Sequence, residues 1–398
     1  MKLRYLAEVN PAVPEVDRLG RDEILTFVPL EDVWPGRDWN PTQTRPKAHV
    51  EQGYTRFREG DVLLPKIHPT FQADRSTLAT GLLNGLGVGT TELHVIRPRA
   101  GTDARYINYL LSTKPFLDVG EAEMIGVAGQ KRVPTDFILD YQVPIVDVGE
   151  QRTIADYLDT ETARIDALVA KKHELVNLAR ERVEALLEDL VWDSSQREVS
   201  LNRLVATFVD YRGATPEKSD SGVPLATAGH VKDGRLDLST SPQFVAQSVY
   251  DSWMRRGFPE LGDVLMTMEA PLGQVAQVDC LPIALAQRVI LMKPETRFVS
   301  GDFLALLLRS PSFQGRLAAT ATGSTALGVR ADRLQALHLP LVPRDRQEEV
   351  VQVVRSAESR IRDLGVALKS QIKLLREHRQ ALITAAVSGE LEVSGVAA

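Results

Sequence analysis

The chain of 398 residues has a single cysteine, Cys280, so no internal disulfide can form and no Cys/His zinc site can be assembled. A lone cysteine of this kind is expected to be a small buried hydrophobe. Aromatic residues are scarce, at 6%. No uninterrupted apolar run approaches the ~18 residues that span a bilayer. Met1-Lys2-Leu3-Arg4-Tyr5 has no apolar segment behind its basic residues, so the expectation is a cytoplasmic protein without a signal peptide. Basic charge is not in excess: 47 Lys+Arg stand against 53 Asp+Glu, a formal net charge of −6. That argues against a simple basic coat for nucleic acid and leaves room for a local basic face.

Short catalytic signatures are missing as well. There is no G-x-x-x-x-G-K-[ST] phosphate loop, no H-E-x-x-H pair and no G-x-S-x-G elbow. Gly85-Leu-Gly-Val-Gly89 has its third glycine one place early for a dinucleotide loop and is expected to be a turn between strands. Asn10-Pro11-Ala12 and Asn40-Pro41-Thr42 lack the second proline and the aromatic of the [DNS]-P-P-[FYW] tetrapeptide with which amino-methyltransferases grip a flipped base. His173-Glu174 reads as a solvated helix face. The pattern is that of a binding scaffold, with catalysis elsewhere.

What is present is a repeat. Val133-Pro-Thr-Asp-Phe-Ile-Leu-Asp-Tyr-Gln-Val-Pro-Ile-Val146 aligns with Val329-Arg-Ala-Asp-Arg-Leu-Gln-Ala-Leu-His-Leu-Pro-Leu-Val342 at an offset of 196. At the same offset Gln151 meets Gln347, and Arg180–Leu187 meets Arg376–Ile383. Gly60-Asp-Val-Leu63 recurs as Gly262-Asp-Val-Leu265 at an offset of 202. A collinear set of matches identifies a duplication.

Each half has two parts. Residues 1–148 and 192–343 carry short β-rich runs, Leu93–Ile96 and Val289–Met292 among them, and amphipathic stretches at 103–113 and 301–310 that predict one helix in each. These are mixed α/β globules. Residues 149–191 and 344–391, followed by a tail at 392–398, show heptad spacing instead. One register runs Val354, Ile361, Leu368, Leu375, Leu382; its counterpart runs Leu158, Ile165, Lys172, Ala179, Leu186, with Leu168, Leu175, Leu364 and Ala385 as companions. Two long helices packed as a coiled coil are predicted, with Lys172 and Gln371 as polar interruptions that fix register. An antiparallel pair within one chain would give an α/β (α+β) protein with a pseudo-twofold internal repeat; a seam between two copies is the alternative.

These segments resemble the specificity subunit of type I restriction–modification systems. The resemblance rests on Val143-Pro-Ile-Val-Asp-Val-Gly-Glu-Gln-Arg-Thr-Ile-Ala-Asp-Tyr-Leu158, on Thr160–Lys172 and on Arg379-Gln-Ala-Leu-Ile-Thr-Ala-Ala-Val-Ser-Gly-Glu-Leu391. The second copy departs from the pattern in Arg344-Asp-Arg-Gln347, which lacks a Glu before the Gln. The resemblance implies a non-catalytic subunit that reads a bipartite, gapped site in double-stranded DNA through two target-recognition domains. The long helices would act as a ruler and as docking surface for two modification (methyltransferase) subunits, with restriction/translocase subunits as further partners. No cofactor is then expected on this chain; S-adenosylmethionine, ATP and Mg would sit on the partners. The competing readings are a duplicated coiled-coil scaffold that binds only protein and, disfavoured by the missing motifs, a self-sufficient nuclease–methyltransferase.

Reading DNA needs side chains at base edges and others on phosphates. In the first globule Lys66, His68, Thr70, Gln72 and Arg75 are candidates, with Lys131 and Arg132 as phosphate contacts. In the second they are Tyr211, Arg212, Lys218, Glu269, Gln274, Gln287 and Arg288. Residues 149–191 carry a net charge of −4 and residues 344–392 a net of +1. An acidic helix pair suits a spacer held off phosphate, so DNA binding by the chain alone is expected to be modest and salt-sensitive.

Overall fold

A computed structural model describes residues 1–34, 39–127, 131–192, 197–211, 215–232, 234–323 and 327–393. The chain divides into two units, Met1–His173 with Leu368–Ala398, and Glu174–Ala367.

The first unit begins with β1 (Ala7–Val9), helix α1 (Pro14–Arg18), β2 (Ile24–Val28), β3 (Thr44–Pro46), β4 (Thr55–Arg58), β5 (Val62–Pro65), β6 (Thr77–Leu78), β7 (Leu86–Gly89) and β8 (Leu93–Pro98). Helices α2 (Ala104–Leu111), α3 (Lys114–Ala122), α4 (Thr135–Asp140) and the 44-residue α5 (Val148–Val191) follow. An antiparallel sheet has the order β1-β8-β5-β6, with Val62 opposite Ile96. A second sheet, β3-β2-β7-β4, contains one parallel pair, β2 with β7.

The second unit contains β9 (Glu198–Ser200), α6 (Leu201–Leu204), β10 (Val205–Asp210), β11 (Val223–Ala226), β12 (Val231–Lys232), β13 (Arg235–Leu236) and β14 (Phe244–Val245). After α7 (Gln247–Trp253) come β15 (Val264–Met268), β16 (Leu272–Gln277), β17 (Ala284–Leu285) and β18 (Val289–Pro294). Next are α8 (Gly301–Arg309), α9 (Pro311–Thr320), α10 (Ala331–Gln335), β19 (His338–Pro340) and the 45-residue α11 (Arg344–Ser388). The four-stranded order β10-β18-β15-β16 repeats that of the first unit, and Val264 faces Met292 as Val62 faces Ile96. The smaller sheet β14-β11-β17 again has one parallel pair, β11 with β17.

The repeated G-D-V-L block has a physical reason in both units. Asp61 and Asp263 are buried, and each receives the backbone N–H of the residue three places earlier, Arg58 at 2.9 Å and Glu260 at 2.8 Å. Asp61 forms a two-pronged ion pair with Arg97, both contacts at 2.7 Å; Asp263 pairs with Lys293 at 3.1 Å. The repeated glutamine is equally specific. Gln151 accepts the N–H of Asp103, the cap of α2, and donates to Val146 O, both at 2.9 Å. Gln347 accepts the N–H of Ser300, the cap of α8, at 3.0 Å and donates to Val342 O at 2.8 Å and Phe298 O at 2.7 Å. One buried amide thus ties the start of each long helix to the start of a globule helix.

The long helices pair antiparallel within each unit. In the first, Ile154 and Leu158 share a core with Ile383, Ala386 and Val387, Asp166 meets Arg379 at 3.3 Å, and Lys172 Nζ donates to Gln371 Oε1 at 2.6 Å. The two polar interruptions of the heptads therefore face each other. In the second unit Leu187 and Val191 pack with Val350, Val351 and Val354. Of the seam positions read from the heptads, Leu158, Ile165, Val354 and Leu368 are buried, whereas Leu186, Ile361, Leu375 and Leu382 are half-buried. Leu168 and Leu175 were expected at the seam and are instead exposed, because the contact face drifts toward Leu187, Ile372 and Ile383 as a 3.6-residue helix departs from a 3.5-residue repeat.

The globules dock on these helices through charges of opposite polarity. In the first unit Arg105 of α2 pairs with Asp156 at 2.7 Å and Asp159 at 2.8 Å on α5. In the second, Asp302 of α8 pairs with Arg355 of α11 at 2.7 Å. Asp159 and Arg355 are equivalent positions, 196 residues apart.

Three expectations are corrected. Each predicted globule helix is followed by a second, α3 or α9, which opens with Pro115 or Pro311 in its first turn, where a missing N–H costs nothing. Gly85–Gly89 is not a turn: Leu86–Gly89 is strand β7, and its glycines make room, since a Cβ at Gly87 would lie 2.3 Å from the Phe57 ring. Cys280 is exposed, in the connection between β16 and β17. Among the described residues no helix is long and apolar enough to cross a membrane.

Candidate nucleic-acid interface

In an antiparallel sheet, connections alternate between two ends, so residues far apart in sequence meet at one end. In the first unit that end is formed by the close of β5, the start of β8 and the close of β1. Lys66 leaves β5 there, and its Nζ donates to Thr91 O at 2.9 Å. Burial holds the ammonium below its ordinary pKa, with the Glu92 charge pulling the other way. Residues 66–68 run beside 131–133: Val133 N donates to Lys66 O at 3.0 Å and His68 N to Lys131 O at 3.4 Å. Arg132 grips Glu92 with two bonds, 2.8 and 2.6 Å, which holds that carboxyl below the usual range.

The structure thus gathers Lys66, His68, Lys131 and Arg132 at one sheet end, with His68 and Lys131 exposed. Thr70 stays nearby, its hydroxyl donating to Ile67 O at 2.8 Å, and Gln72 is half-buried. Arg75 turns inward. Its guanidinium donates to the carbonyls of Leu30, Glu31 and Val33 and lies 3.9 Å over the Trp34 ring, so it braces a loop of the globule.

Behind this end lies a cavity of ≈ 490 Å³ lined by Asn10, Tyr54, Arg56, Lys66 and Leu93, among others. His94 supports it. Its Nε2 sits 2.9 Å from Val133 O, which can only accept, so Nε2 carries the proton and Nδ1 accepts from Asn10 Nδ2 at 3.1 Å. Burial pushes the His94 pKa down to about 4, keeping the ring neutral.

The second unit uses the corresponding end, where β10 and β15 close and β16 and β18 begin. Glu269 follows β15, Gln274 lies on β16, and Gln287 and Arg288 precede β18. Met268 N donates to Arg288 O at 2.9 Å, and the Thr215 hydroxyl donates to Gln287 Oε1. Tyr211, expected to be able to stack on a base, is 2% exposed; its ring lies against Trp253, centroids 5.2 Å apart and 24° between planes. Burial raises its hydroxyl pKa, opposed by the charges of Arg256 and Arg255. Lys218 is exposed beside the Ser219–Phe244 bridge, at the edge of the smaller sheet. Arg212 lies outside the described residues.

Sequence reasoning missed Arg255 and Arg256, on the turn that follows α7. Arg256 N donates to the Tyr211 hydroxyl at 3.2 Å, its Nη1 donates to Asp210 O at 2.5 Å, and its guanidinium lies 5.3 Å over the Tyr211 ring. The signal was the interleaved run Trp253-Met-Arg-Arg-Gly-Phe258. No cluster of three His, Cys, Asp or Glu side chains able to hold a metal ion occurs among the described residues.

No family model matches the chain. The specificity subunit of the type I restriction enzyme EcoEI, from Escherichia coli, is 33% identical over 202 residues, which is 50% of this chain and 34% of that protein. The EcoAI specificity subunit, from the same organism, is 31% identical over 202 residues, with the same coverage. The match therefore spans about a third of the length of these curated relatives. A solved chain, from work on complex assembly and conformational transition of a type I restriction–modification system, superposes with a TM-score of 0.72 at 16% identity, covering 98% of this chain and 97% of the other. That likeness defines the fold: two mixed α/β globules joined by long helices. Over half of its length this chain is similar in sequence to type I restriction enzyme specificity subunits.

Proposed function

We propose that this chain is the non-catalytic, DNA-reading subunit of a type I restriction–modification assembly in the cytoplasm. Each globule reads one half of a gapped site in double-stranded DNA. Adenine-methyltransferase subunits, and restriction subunits where present, dock on the assembly and carry S-adenosylmethionine, ATP and Mg. One observation carries the reading: the duplicated four-stranded sheet has Lys66, His68, Lys131 and Arg132 at one end in the first unit and Glu269, Gln287 and Arg288 at the corresponding end in the second. Two continuous helices link the units along the chain, each about 66 Å long at ~1.5 Å per residue, a length that can set the gap between half-sites.

The deciding experiment is methylome sequencing of the source cell with and without this gene. Loss of one split, gapped adenine motif is expected. An unchanged methylome would leave the protein-only scaffold as the better account.

A further inference from the structure

Among the basic side chains at the second unit's sheet end, Arg255 is set apart by what surrounds it. The turn that carries it is fixed on both sides. On one side Trp253 Nε1 donates to Leu285 O at 3.0 Å and Met254 is buried. On the other, Arg256 is tied to Asp210 O and to the Tyr211 hydroxyl. Gly257 closes the turn, its N–H bonded to Met254 O at 3.0 Å; at its φ of +154°, a Cβ would lie 2.7 Å from Val209 Cγ2. Arg255 projects from this frame exposed, and no carboxylate among the described residues pairs with it. Phe258 and Leu261, 44% and 65% exposed, extend the same segment.

We propose that Arg255 is a phosphate contact of the second unit, gripping the backbone of duplex DNA independently of sequence; this rests on the DNA-reading function proposed above. A guanidinium presents a fork of donors that matches a phosphate's oxygens. Reading a guanine edge needs that fork braced in one orientation, and among the described residues Arg255 has no bracing partner, whereas Arg256 has two. The backbone beneath Arg255 is held by hydrogen bonds and its side chain meets no carboxylate among the described residues, which suits a charge whose target is the same at every base pair. Arg256 is a positioning residue: it holds the turn against Tyr211.

The test uses the full chain, its Arg255→Ala and Arg255→Lys variants, and random-sequence duplex DNA over a salt series. One phosphate contact contributes ~0.9 to the slope of log affinity against log salt. Arg255→Ala is expected to lower the slope by about that amount, so that the affinity lost between about 50 and 200 mM salt shrinks roughly threefold. Arg255→Lys should keep the wild-type slope, and the methylated motif in cells should stay the same with Arg255→Ala. If the wild type binds with a steep slope and Arg255→Ala matches it, the phosphate contact is wrong while the DNA-reading function stands. A changed motif would make Arg255 a base reader and overturn the proposal. An unaltered slope with weakened binding to a methyltransferase subunit would assign it to a protein interface. A wild-type chain with no salt-dependent affinity for duplex DNA, alone or with its methyltransferase subunits, would sink the underlying function itself.

Discussion

In the first unit Arg132 commits its guanidinium to Glu92, Arg56 pairs with Asp17 and Arg75 braces an internal loop; in the second, Arg255 and Arg288 meet no carboxylate among the described residues. The sheets beneath are alike in order and register, down to a buried aspartate at the same place. Duplication has therefore kept the scaffold and let the charges at this sheet end diverge. The first unit places Arg132 in an ion pair there beside the exposed Lys131, whereas the second exposes Arg255 and Arg288.

The comparison can be broken first at the buried aspartates. Arg97 holds Asp61 with two bonds and is itself only 12% exposed, whereas Lys293 is 22% exposed and shared with Glu260. Arg97→Met should cost about 3–5 kcal/mol, because it strands a buried carboxylate. Lys293→Met should cost about 1–3 kcal/mol. Burial already raises the pKa of Asp263, against the pull of Lys293. Urea unfolding followed unit by unit through amide exchange measures both, and equal losses would end the argument from geometry.

The paired glutamines give a smaller effect. Gln347→Ala, which removes bonds to Phe298, Val342 and Ser300, should cost about 3 kcal/mol; Gln151→Ala, which removes bonds to Val146 and Asp103, about 2 kcal/mol. The same unfolding measurement ranks them, and a reversed order would show that the number of bonds does not set the cost.

The smallest expected effect is in the response to acid. In the first unit burial pushes His94 down to about 4, so its contribution to stability is intact above the unfolded pKa near 6.5 and is lost as pH falls toward 4. Burial pushes Asp74 up to about 7, so its contribution grows as pH falls below 7. The two oppose each other, and the wild-type unit should be nearly flat between pH 7 and 5. Asp74→Asn removes one side of the balance and should expose a loss of about 2 kcal/mol over that interval. A flat profile for Asp74→Asn in amide exchange would mean that His94 titrates as it does in the unfolded chain.

Much of this architecture was legible in the sequence because it follows from periodicity and repetition. A coiled coil was announced by five heptads, the structure makes it an antiparallel pair within the chain, and the polar Lys172 and Gln371 face each other in it. The match of Gln151 with Gln347 falls on two buried amides that bond alike in the two units. Local chemistry was harder to read. Gly85–Gly89 carries the composition of a turn, yet the ring of Phe57, distant in sequence, makes those glycines necessary in a strand. Tyr211 and Arg75 have the right types for DNA contact, but their partners Trp253 and Val33 come from other segments, and only tertiary structure shows them engaged. Arg255 was overlooked for the converse reason: an adjacent arginine pair after a short helix usually means a solvated face, and its distinction lies in the bonded turn beneath it, made by Trp253, Arg256 and Tyr211.

The inverted docking charges bear on how such a chain reaches its native state. A newly doubled gene encodes two globules and two helix docks of one shape, so a crowded cell would offer each globule a wrong seat on a neighbouring chain. Such a seat would now press Arg105 against Arg355, and Asp302 against Asp156 and Asp159. Rejecting a competitor by repulsion is as effective as strengthening the proper match. The polarity switch matches each globule's charges to the helix of its own half and sets them against those of the other.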